Sequence, residues 1–291
     1  MLKLPISSVI LALLAVLMGC TAVGAESNGS HRHTPPPGSK PSIPARLPLP
    51  NSIGAAGDSV TRAFDVNSAG VLHDNPQDSW STGWNPAIVS QYQRIWAKNK
   101  TIKGHVFNVA QTGTLMQSLD NQLVALARKH VSYATILMGH NDLCSQTIPE
   151  MTRVSVFRAE FRRSLTDFFT RDHSGHVYVS SLLNLFRLWQ VLHNNRSAES
   201  IWGGYGLCQS MFNREDTNAQ RQTVRMREEA FNDVLGSVCK TFAHCRWDGG
   251  AGFRYRFGPS FVSTVDYFHP SVAGQKLLAA LTWKHSFWPN Q

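Results

Sequence analysis

Gly57-Asp58-Ser59-Val60 follows a short apolar run, Ser52-Ile53-Gly54-Ala55-Ala56, which the sequence predicts as a first β-strand. A serine on a tight turn directly after a strand is well placed to act as a nucleophile, because the turn lifts its side chain out of the sheet. The helix expected after the turn would bring backbone N–H groups nearby. The motif is short, so its meaning depends on whether a base and an oxyanion hole follow further along the chain.

A base and its partner stand near the C-terminus. A serine hydroxyl attacks well only when a histidine takes its proton, and a carboxylate usually orients that histidine. The stretch Asp266-Tyr267-Phe268-His269-Pro270 supplies both groups, at a spacing that brings the carboxylate within reach of the ring on one local turn. Pro270 predicts the start of a helix over 272–283. We therefore predict a catalytic triad of Ser59, His269 and Asp266.

Two further stretches offer donors for an oxyanion. The apolar run 135–138 reads as a buried strand that ends in Gly139-His140-Asn141-Asp142. Ligands bind at the carboxyl ends of strands in open α/β sheets, so the Asn141 amide is a candidate oxyanion donor. A second strand, 106–110, leads into Gln111-Thr112-Gly113, and the backbone N–H of Gly113 is a further candidate.

These blocks, in this order, resemble the SGNH (GDSL-type) hydrolases. Ser59, Gly113, Asn141 and His269 match the four residues that name the family, although Val60 stands where the family usually has leucine. The resemblance implies that Asp266 is the triad acid and that the N–H of Ser59 is a third oxyanion donor. It also implies a three-layer α/β/α, flavodoxin-like fold. Gly139–Cys144 is similar to the phospholipase-B-like branch, and 179–189 resembles secreted actinobacterial members.

The predicted elements alternate along the chain, which independently favours an α/β fold with a parallel sheet covered on both faces. Between 194 and 216 we expect an irregular segment, which either caps the pocket or is a loop pinned by Cys208. The predicted strands are 52–56, 105–110, 133–138 and 176–181, and the predicted helices are 86–98, 115–129, 150–171, 183–193 and 217–238.

The N-terminus predicts export. Residues 1–25 are typical of a signal peptide, with Lys3 ahead of an apolar stretch that is too short to span a bilayer comfortably. Two cleavage sites remain open: a lipobox, Leu17-Met18-Gly19-Cys20, that would leave Cys20 lipidated, or ordinary cleavage after Ala25. Residues 26–50 are proline-rich and predict a disordered tether. The catalytic domain is predicted over 51–291, in a secreted protein or a membrane-anchored extracellular lipoprotein.

Four cysteines remain beyond Cys20. An even number in an exported chain suggests two disulfides, for which three pairings exist. We favour Cys239–Cys245, which closes a short loop, and Cys144–Cys208, which would fasten a long loop beside Asn141. The alternative is that all four are reduced, buried and inert.

The distribution of charge and the spacing of the histidines limit the classes of function that the sequence favours. The chain has a net charge of +9, but its charges are scattered and form no nucleic-acid-binding module. The charge favours either an attraction to anionic lipid or wall polymers or simply solubility. His140 is expected to line the pocket and the other histidines to pack or lie at the surface. No histidine spacing is typical of a metal site, and no cofactor is expected.

Together these features predict an exported, monomeric serine ester hydrolase, an esterase or lipase acting on a small-molecule or lipid ester. Two alternatives remain open. One is a deacetylase of cell-wall or plant polysaccharide, which would use the same chemistry on another substrate. The other is a surface binding protein that keeps the fold without turnover.

Overall fold

The computed structural model describes residues 47–67 and 72–290. The predicted signal peptide 1–25, with Cys20, and residues 26–46 of the predicted tether lie outside these ranges. In the described part of the chain, no helix is both long and apolar enough to cross a membrane.

Five parallel strands form the central sheet, in the order β2-β1-β3-β4-β5. β1 is flanked by β2 and β3, with Ile53 paired to Val106 on one side and to Tyr133 on the other. The strands are β1 (Ile53–Gly57), β2 (Val106–Asn108), β3 (Tyr133–Leu137), β4 (His176–Val179) and β5 (Cys245–Trp247).

Helices cover the sheet, since every residue of β1 and β3 is buried. Helices α2, α4 and α8 pack in a row, and α1 packs against α10. The α/β/α prediction is thereby confirmed. The helices of the described residues are α1 (Gln91–Lys98), α2 (Leu119–Ala127), α3 (His140–Leu143), α4 (Val154–Arg171), α5 (Leu185–Leu192), α6 (Arg196–Gly204), α7 (Gln209–Phe212), α8 (Asn218–Cys239), α9 (Ala251–Arg254) and α10 (Val272–His285).

Helix α1 begins later than the predicted residue 86. Val89 has a left-handed backbone, with φ of +56°, which interrupts any helix that contains it. Ser90 then caps the helix: its hydroxyl accepts the Gln93 N–H at 3.2 Å, and the Gln93 side chain accepts the Ser90 N–H at 2.7 Å. The polar cap therefore decides where the helix starts.

The segment 194–216 is not irregular, so that prediction was wrong. It contains α6 and α7, and Asn195 caps α6 by accepting the N–H groups of Ser197 and Ala198. Trp202 is fully buried and stacks on Phe212. Its large apolar ring gives this segment a core contact that orders it.

Residues 47–50, predicted as the end of the tether, pack against the domain. Trp288 donates its indole N–H to the carbonyls of Leu47, at 3.0 Å, and Pro48, at 3.1 Å. Asn99 donates to the carbonyl of Pro50 at 3.0 Å. The folded domain therefore includes residues from 47 onward rather than from 51.

The sheet positions the site through the end of β1. Gly57 has φ of +151°, and a Cβ there would lie 2.3 Å from the carbonyl oxygen of Leu137. Only glycine fits this close approach of two strands. The Gln122 side chain accepts the Gly57 N–H at 2.7 Å and donates to its carbonyl at 3.0 Å. These bonds fix the strand end from which the Ser59 turn begins.

Candidate active site

The Ser59 turn is held by its neighbouring aspartate. Asp58 is fully buried, and its Oδ1 accepts the Val60 N–H at 3.0 Å. Its carbonyl accepts the N–H groups of Thr61 and Arg62. Ser59 itself is only 6% exposed. The turn therefore holds the hydroxyl in one place at the carboxyl end of β1.

The structure brings Ser59, His269 and Asp266 into one chain of side-chain contacts. His269 Nε2 lies 2.7 Å from Ser59 Oγ, and His269 Nδ1 lies 2.5 Å from Asp266 Oδ2. A carboxylate accepts only, so Nδ1 carries the proton and Nε2 is free to accept from the serine hydroxyl. All three side chains are buried.

The local turn around His269 explains this geometry. Asp266 Oδ1 accepts the N–H groups of Phe268, at 2.9 Å, and His269, at 3.0 Å. Tyr267 between them has φ of +56°, and the Trp202 indole donates to its carbonyl at 3.1 Å. The buried tryptophan of α6 thus braces the turn that presents the histidine. The sequence did not identify this role for Trp202.

The predicted oxyanion residues lie on two segments that contact each other. Gly113 is exposed with φ of +79°, and within the described residues neither its N–H nor that of Ser59 has a hydrogen-bond acceptor. Asn141 lies in the first turn of α3, just beyond the carboxyl end of β3. Its amide donates to the Thr114 carbonyl at 2.9 Å, which leaves its second N–H for another acceptor.

Asp142 is a site residue that the sequence analysis did not assign, although it is adjacent to Asn141. It is 2% exposed, and its Oδ2 accepts the Met116 N–H at 2.9 Å. With the bond from Asn141 to Thr114, it makes a second link between α3 and the loop that carries Gly113. Burial raises the pKa of the Asp142 carboxyl to about 7.

His140 lies beneath the Ser59 turn. Its Nε2 lies 2.9 Å from the Leu183 nitrogen and 3.2 Å from the Leu183 carbonyl oxygen, and its Nδ1 lies 3.9 Å from Asp58 Oδ2. Burial lowers the pKa of His140 and raises that of Asp58. These directions favour a neutral histidine that serves as a pocket wall, which is the position that the sequence predicts for it.

An apolar pocket opens beside the triad. Val60 and Phe268, the neighbours in sequence of Ser59 and His269, line it together with His140. Its other walls come from α5 and from the chain before Asp266, and they include Leu183, Leu185, Leu188, Phe257, Phe261 and Val262. The pocket has a cavity volume of about 30 Å³ and is partly open to solvent.

Two disulfides are present, in the pairing that the sequence favours. Cys144, directly after α3, is bonded to Cys208, and Cys239 is bonded to Cys245. The first bond joins the Asn141 turn to the start of α7. Among the residues that the structure describes, no cluster of three or more histidine, cysteine, aspartate or glutamate side chains could hold a metal ion.

A linked serine, histidine and aspartate on a parallel α/β sheet define a hydrolase-type site. A model of the GDSL-like Lipase/Acylhydrolase family matches residues 53–282, and the chain belongs to this family of ester hydrolases. The resemblance seen in the sequence is thereby confirmed. A search of curated proteins finds no match.

Several solved structures are similar at low identity. Phospholipase A1 from Streptomyces albidoflavus NA297 is 15% identical, over 81% of this chain and 99% of that one, with a TM-score of 0.48. An extracellular lipase from Streptomyces rimosus is 13% identical, over 81% and 99%, with a TM-score of 0.49. A family two carbohydrate esterase from Clostridium thermocellum is 15% identical, over 83% and 66%, with a TM-score of 0.44.

Proposed function

We propose that this protein is a serine hydrolase that cleaves carboxylic esters with a substantial acyl chain through a covalent acyl-enzyme. The observation that carries the proposal is the contact chain from Ser59 Oγ through His269 to Asp266, at 2.7 Å and 2.5 Å. The 2.7 Å contact lies within the hydrogen-bond range that a nucleophile and its base require, and the shorter contact with Asp266 holds the base in place.

In the proposed reaction, Ser59 Oγ attacks the ester carbonyl carbon while His269 Nε2 takes the hydroxyl proton. Asp266 stabilises the imidazolium that forms. The N–H groups of Ser59 and Gly113 and the Asn141 amide hold the negative oxygen of the tetrahedral intermediate. The intermediate collapses, the C–O bond to the alcohol breaks, and His269 gives its proton to the leaving alcohol. Water then repeats the sequence on the acyl-enzyme and releases the acid.

Labelling with a fluorophosphonate probe tests the nucleophile. We expect Ser59 to be labelled in the native chain, and the label to be absent from Ser59→Ala. Ser155→Ala, which removes an exposed serine from α4, is the matched control and should label normally. If folded native protein is not labelled, the chain is a binding protein rather than this hydrolase.

The pocket favours esters with a longer acyl chain over acetyl esters. Its walls are mostly apolar side chains, among them Leu185, Leu188 and Phe257. A methyl group would cover little of this apolar surface. A longer acyl chain would bury its surface there at about 0.8 kcal/mol for each CH₂.

A series of p-nitrophenyl esters from acetate to octanoate tests the acyl preference. We expect kcat/KM to rise with chain length in the native enzyme. Leu188→Phe, which narrows the pocket, should lower the octanoate-to-acetate ratio about tenfold, within the range for removing space in an apolar site. Leu192→Phe is the control, because Leu192 is a buried residue of the same helix that does not line the pocket. A native preference for acetate would instead favour a deacetylase.

We also propose that the enzyme works outside the cytoplasm. The support is the predicted signal in residues 1–25 and the two disulfides, which persist in oxidising compartments. Cell fractionation of the native chain and of Cys20→Ser separates the two modes of export. A shift from membrane to medium in the variant indicates a lipoprotein. Release of both forms indicates ordinary secretion, and retention of both in the cytoplasm would contradict the proposal.

A further inference from the structure

A second groove borders the apolar pocket, and four arginines line it. Arg187 comes from α5, Arg225 from α8, Arg254 from the end of α9, and Arg256 from the segment after α9. The aromatic rings of Phe186, Phe253 and Tyr255 also line it. We call this feature the arginine groove.

The positive charge of the groove is mostly uncompensated. Arg187 and Arg254 donate to neutral backbone carbonyls, those of Phe257 at 3.0 Å and Gly249 at 2.8 Å. Arg225 pairs with Glu229 at 3.1 Å. Arg256 is exposed and has no hydrogen-bond or ion-pair partner in the described chain. Among the described residues, these four guanidinium groups therefore have one carboxylate as an ion-pair partner, that of Glu229.

Two further carboxyl groups near the groove are buried. Asp248 is 4% exposed, and its side chain accepts the N–H groups of Gly250, at 2.7 Å, and Gly252, at 3.1 Å. Glu228 is fully buried, and its side chain accepts the Leu185 N–H at 3.1 Å. Burial raises the pKa of Glu228 well above its usual range, so its neutral form is favoured. The groove consequently presents a net positive surface to solvent.

Aromatic rings accompany these arginines. The Arg225 guanidinium lies 5.9 Å from the Phe186 ring centre, and Tyr255 is 36% exposed. Cationic side chains attract anionic lipid headgroups, while amphipathic aromatic rings are favoured at the level of those headgroups. The combination fits a lipid surface better than it fits a soluble polyanion, which needs no apolar contact.

The groove and the apolar pocket share one wall. Asn184 lines both, and the residues that follow it divide between them. Leu185 and Leu188 line the pocket, whereas Phe186 and Arg187 line the groove. Headgroups bound in the groove would therefore bring the acyl region of the same surface next to the pocket beside Ser59.

We propose that the arginine groove binds the phosphate headgroups of an anionic phospholipid surface. This binding is separate from ester cleavage and goes beyond the proposed function. It can therefore be measured in a chain that lacks the Ser59 hydroxyl, so that failure of the groove and failure of the hydrolase are distinguishable.

The test is co-sedimentation of the full chain with vesicles, near physiological ionic strength. All variants carry Ser59→Ala, so that no lipid is cleaved, and Cys20→Ser, so that no lipid is attached. The N-terminal segment is the same throughout and contributes equally to each. We expect binding to vesicles of phosphatidylcholine with phosphatidylglycerol to exceed binding to phosphatidylcholine alone.

The groove variant is Arg254→Gln with Arg256→Gln. Each basic residue near an anionic surface contributes about 1 kcal/mol, so the partition coefficient should fall roughly thirtyfold. The control, Arg153→Gln with Arg162→Gln, removes the same charge from exposed positions, one just before α4 and one in its middle. We expect the control to change binding only slightly. If the double groove variant does not fold, Arg256→Gln alone should lower binding about fivefold.

Four results would overturn the proposal. The first is equal binding to both vesicle types, and the second is an equal loss in the groove and control variants, which would indicate a general effect of net charge. The third is binding of inorganic phosphate, lost in the groove variant, without binding to anionic vesicles. The fourth is binding of soluble polygalacturonate without binding to anionic vesicles, which would assign the groove to an anionic polysaccharide.

Discussion

The two halves of the proposed active site are built differently. On the nucleophile side, Ser59, His269 and Asp266 contact one another directly, and Asp266 also accepts two N–H groups of its own turn. On the proposed oxyanion side, Gly113 comes from a loop and Asn141 from the first turn of α3. These two segments are joined by the bond from Asn141 to Thr114 and by the bond from the Met116 N–H to Asp142.

This difference sets the size of the expected effects. The nucleophile half is a single proton path, so breaking one link should abolish most of the activity. The oxyanion half combines several donors whose positions depend on contacts between loops, so its losses should be graded. Substitutions at four residues test this contrast.

Asp266→Asn should have the largest effect, because it breaks the proton path without removing the turn. The asparagine oxygen can still accept the N–H groups of Phe268 and His269, but its amide favours the wrong imidazole tautomer. In serine proteases with the same triad, replacing the aspartate by asparagine lowers kcat about 10⁴-fold, and we expect a similar loss here.

Steady-state kinetics and thermal unfolding together check this result. Asp172→Asn is the control, because Asp172 is also buried and also accepts N–H groups of its own turn, those of Ser174 and Gly175. The control should retain its kcat. An Asp266→Asn enzyme with kcat within about tenfold of the native value would remove Asp266 from the proton path.

Asn141→Ala removes one oxyanion donor and should lower kcat by about 10²–10³ with little change in KM. The loss is graded because the N–H groups of Ser59 and Gly113 remain. Initial rates over a range of ester concentrations separate the two constants. An unchanged kcat would exclude Asn141 from the oxyanion hole, and a rise in KM alone would indicate a role in ground-state binding.

Gly113→Ala tests whether the position of the Gly113 N–H matters. Its φ of +79° strains any residue with a Cβ by roughly 1–2 kcal/mol, although the Cβ itself would meet no atom within 4 Å. Relief of that strain by rotation of the peptide would turn the N–H, and we expect kcat to fall about tenfold, equivalent to about 1.4 kcal/mol.

Gly104→Ala is a matched control, because Gly104 has φ of +84° and equally open surroundings. Both variants should lose similar stability in urea unfolding, but only Gly113→Ala should lose activity. Equal kcat in the two would show that the loop at Gly113 does not contribute a positioned donor.

The difference between the two halves of the proposed active site also explains which features the sequence could predict. Ser59, Asp266 and His269 lie in short motifs whose contacts are local or follow from the ends of parallel strands. The strands themselves were predictable because β1 and β3 are continuous buried runs. The order of the motifs along the chain then predicted that the donors of Gly113 and Asn141 lie at the same edge of the sheet.

Contacts between distant residues were not predictable from these patterns. Asp142 and Met116 are 26 residues apart, and Gln122 reaches Gly57 across 65 residues. The burial of Trp202, which orders α6, depends on contacts with residues far along the chain. Strand β5 has only three residues, one of which is the charged Arg246, so no apolar run marks it in the sequence. In the other cases, the side chain that decides the structure has its partner elsewhere in the chain.

Substitution of Asp142 should have the smallest effect on kcat. Asp142 supports the proposed oxyanion hole only indirectly, by accepting the Met116 N–H. Asp142→Asn keeps an oxygen for the Met116 N–H, and we expect kcat within a few-fold of native. Asp142→Ala removes that acceptor, and loss of one buried hydrogen bond at about 1.4 kcal/mol would allow up to a tenfold fall. A larger loss of kcat in Asp142→Ala than in Asn141→Ala would contradict the expectation that a direct oxyanion donor matters more than a residue that supports its loop.

The raised pKa of Asp142, about 7, also makes a prediction about stability. Its carboxyl ordinarily titrates near pH 4, and in the fold its burial, aided by the carboxylates of Glu160 and Asp58, opposes its ionisation. The folded chain therefore holds the proton that the unfolded chain releases. The stabilisation from that proton is complete below about pH 4 and is lost as pH rises through about 7. The native chain should accordingly lose stability relative to Asp142→Asn between about pH 5 and pH 8 in urea unfolding, and a constant difference across that range would show that Asp142 is ionised in the fold throughout.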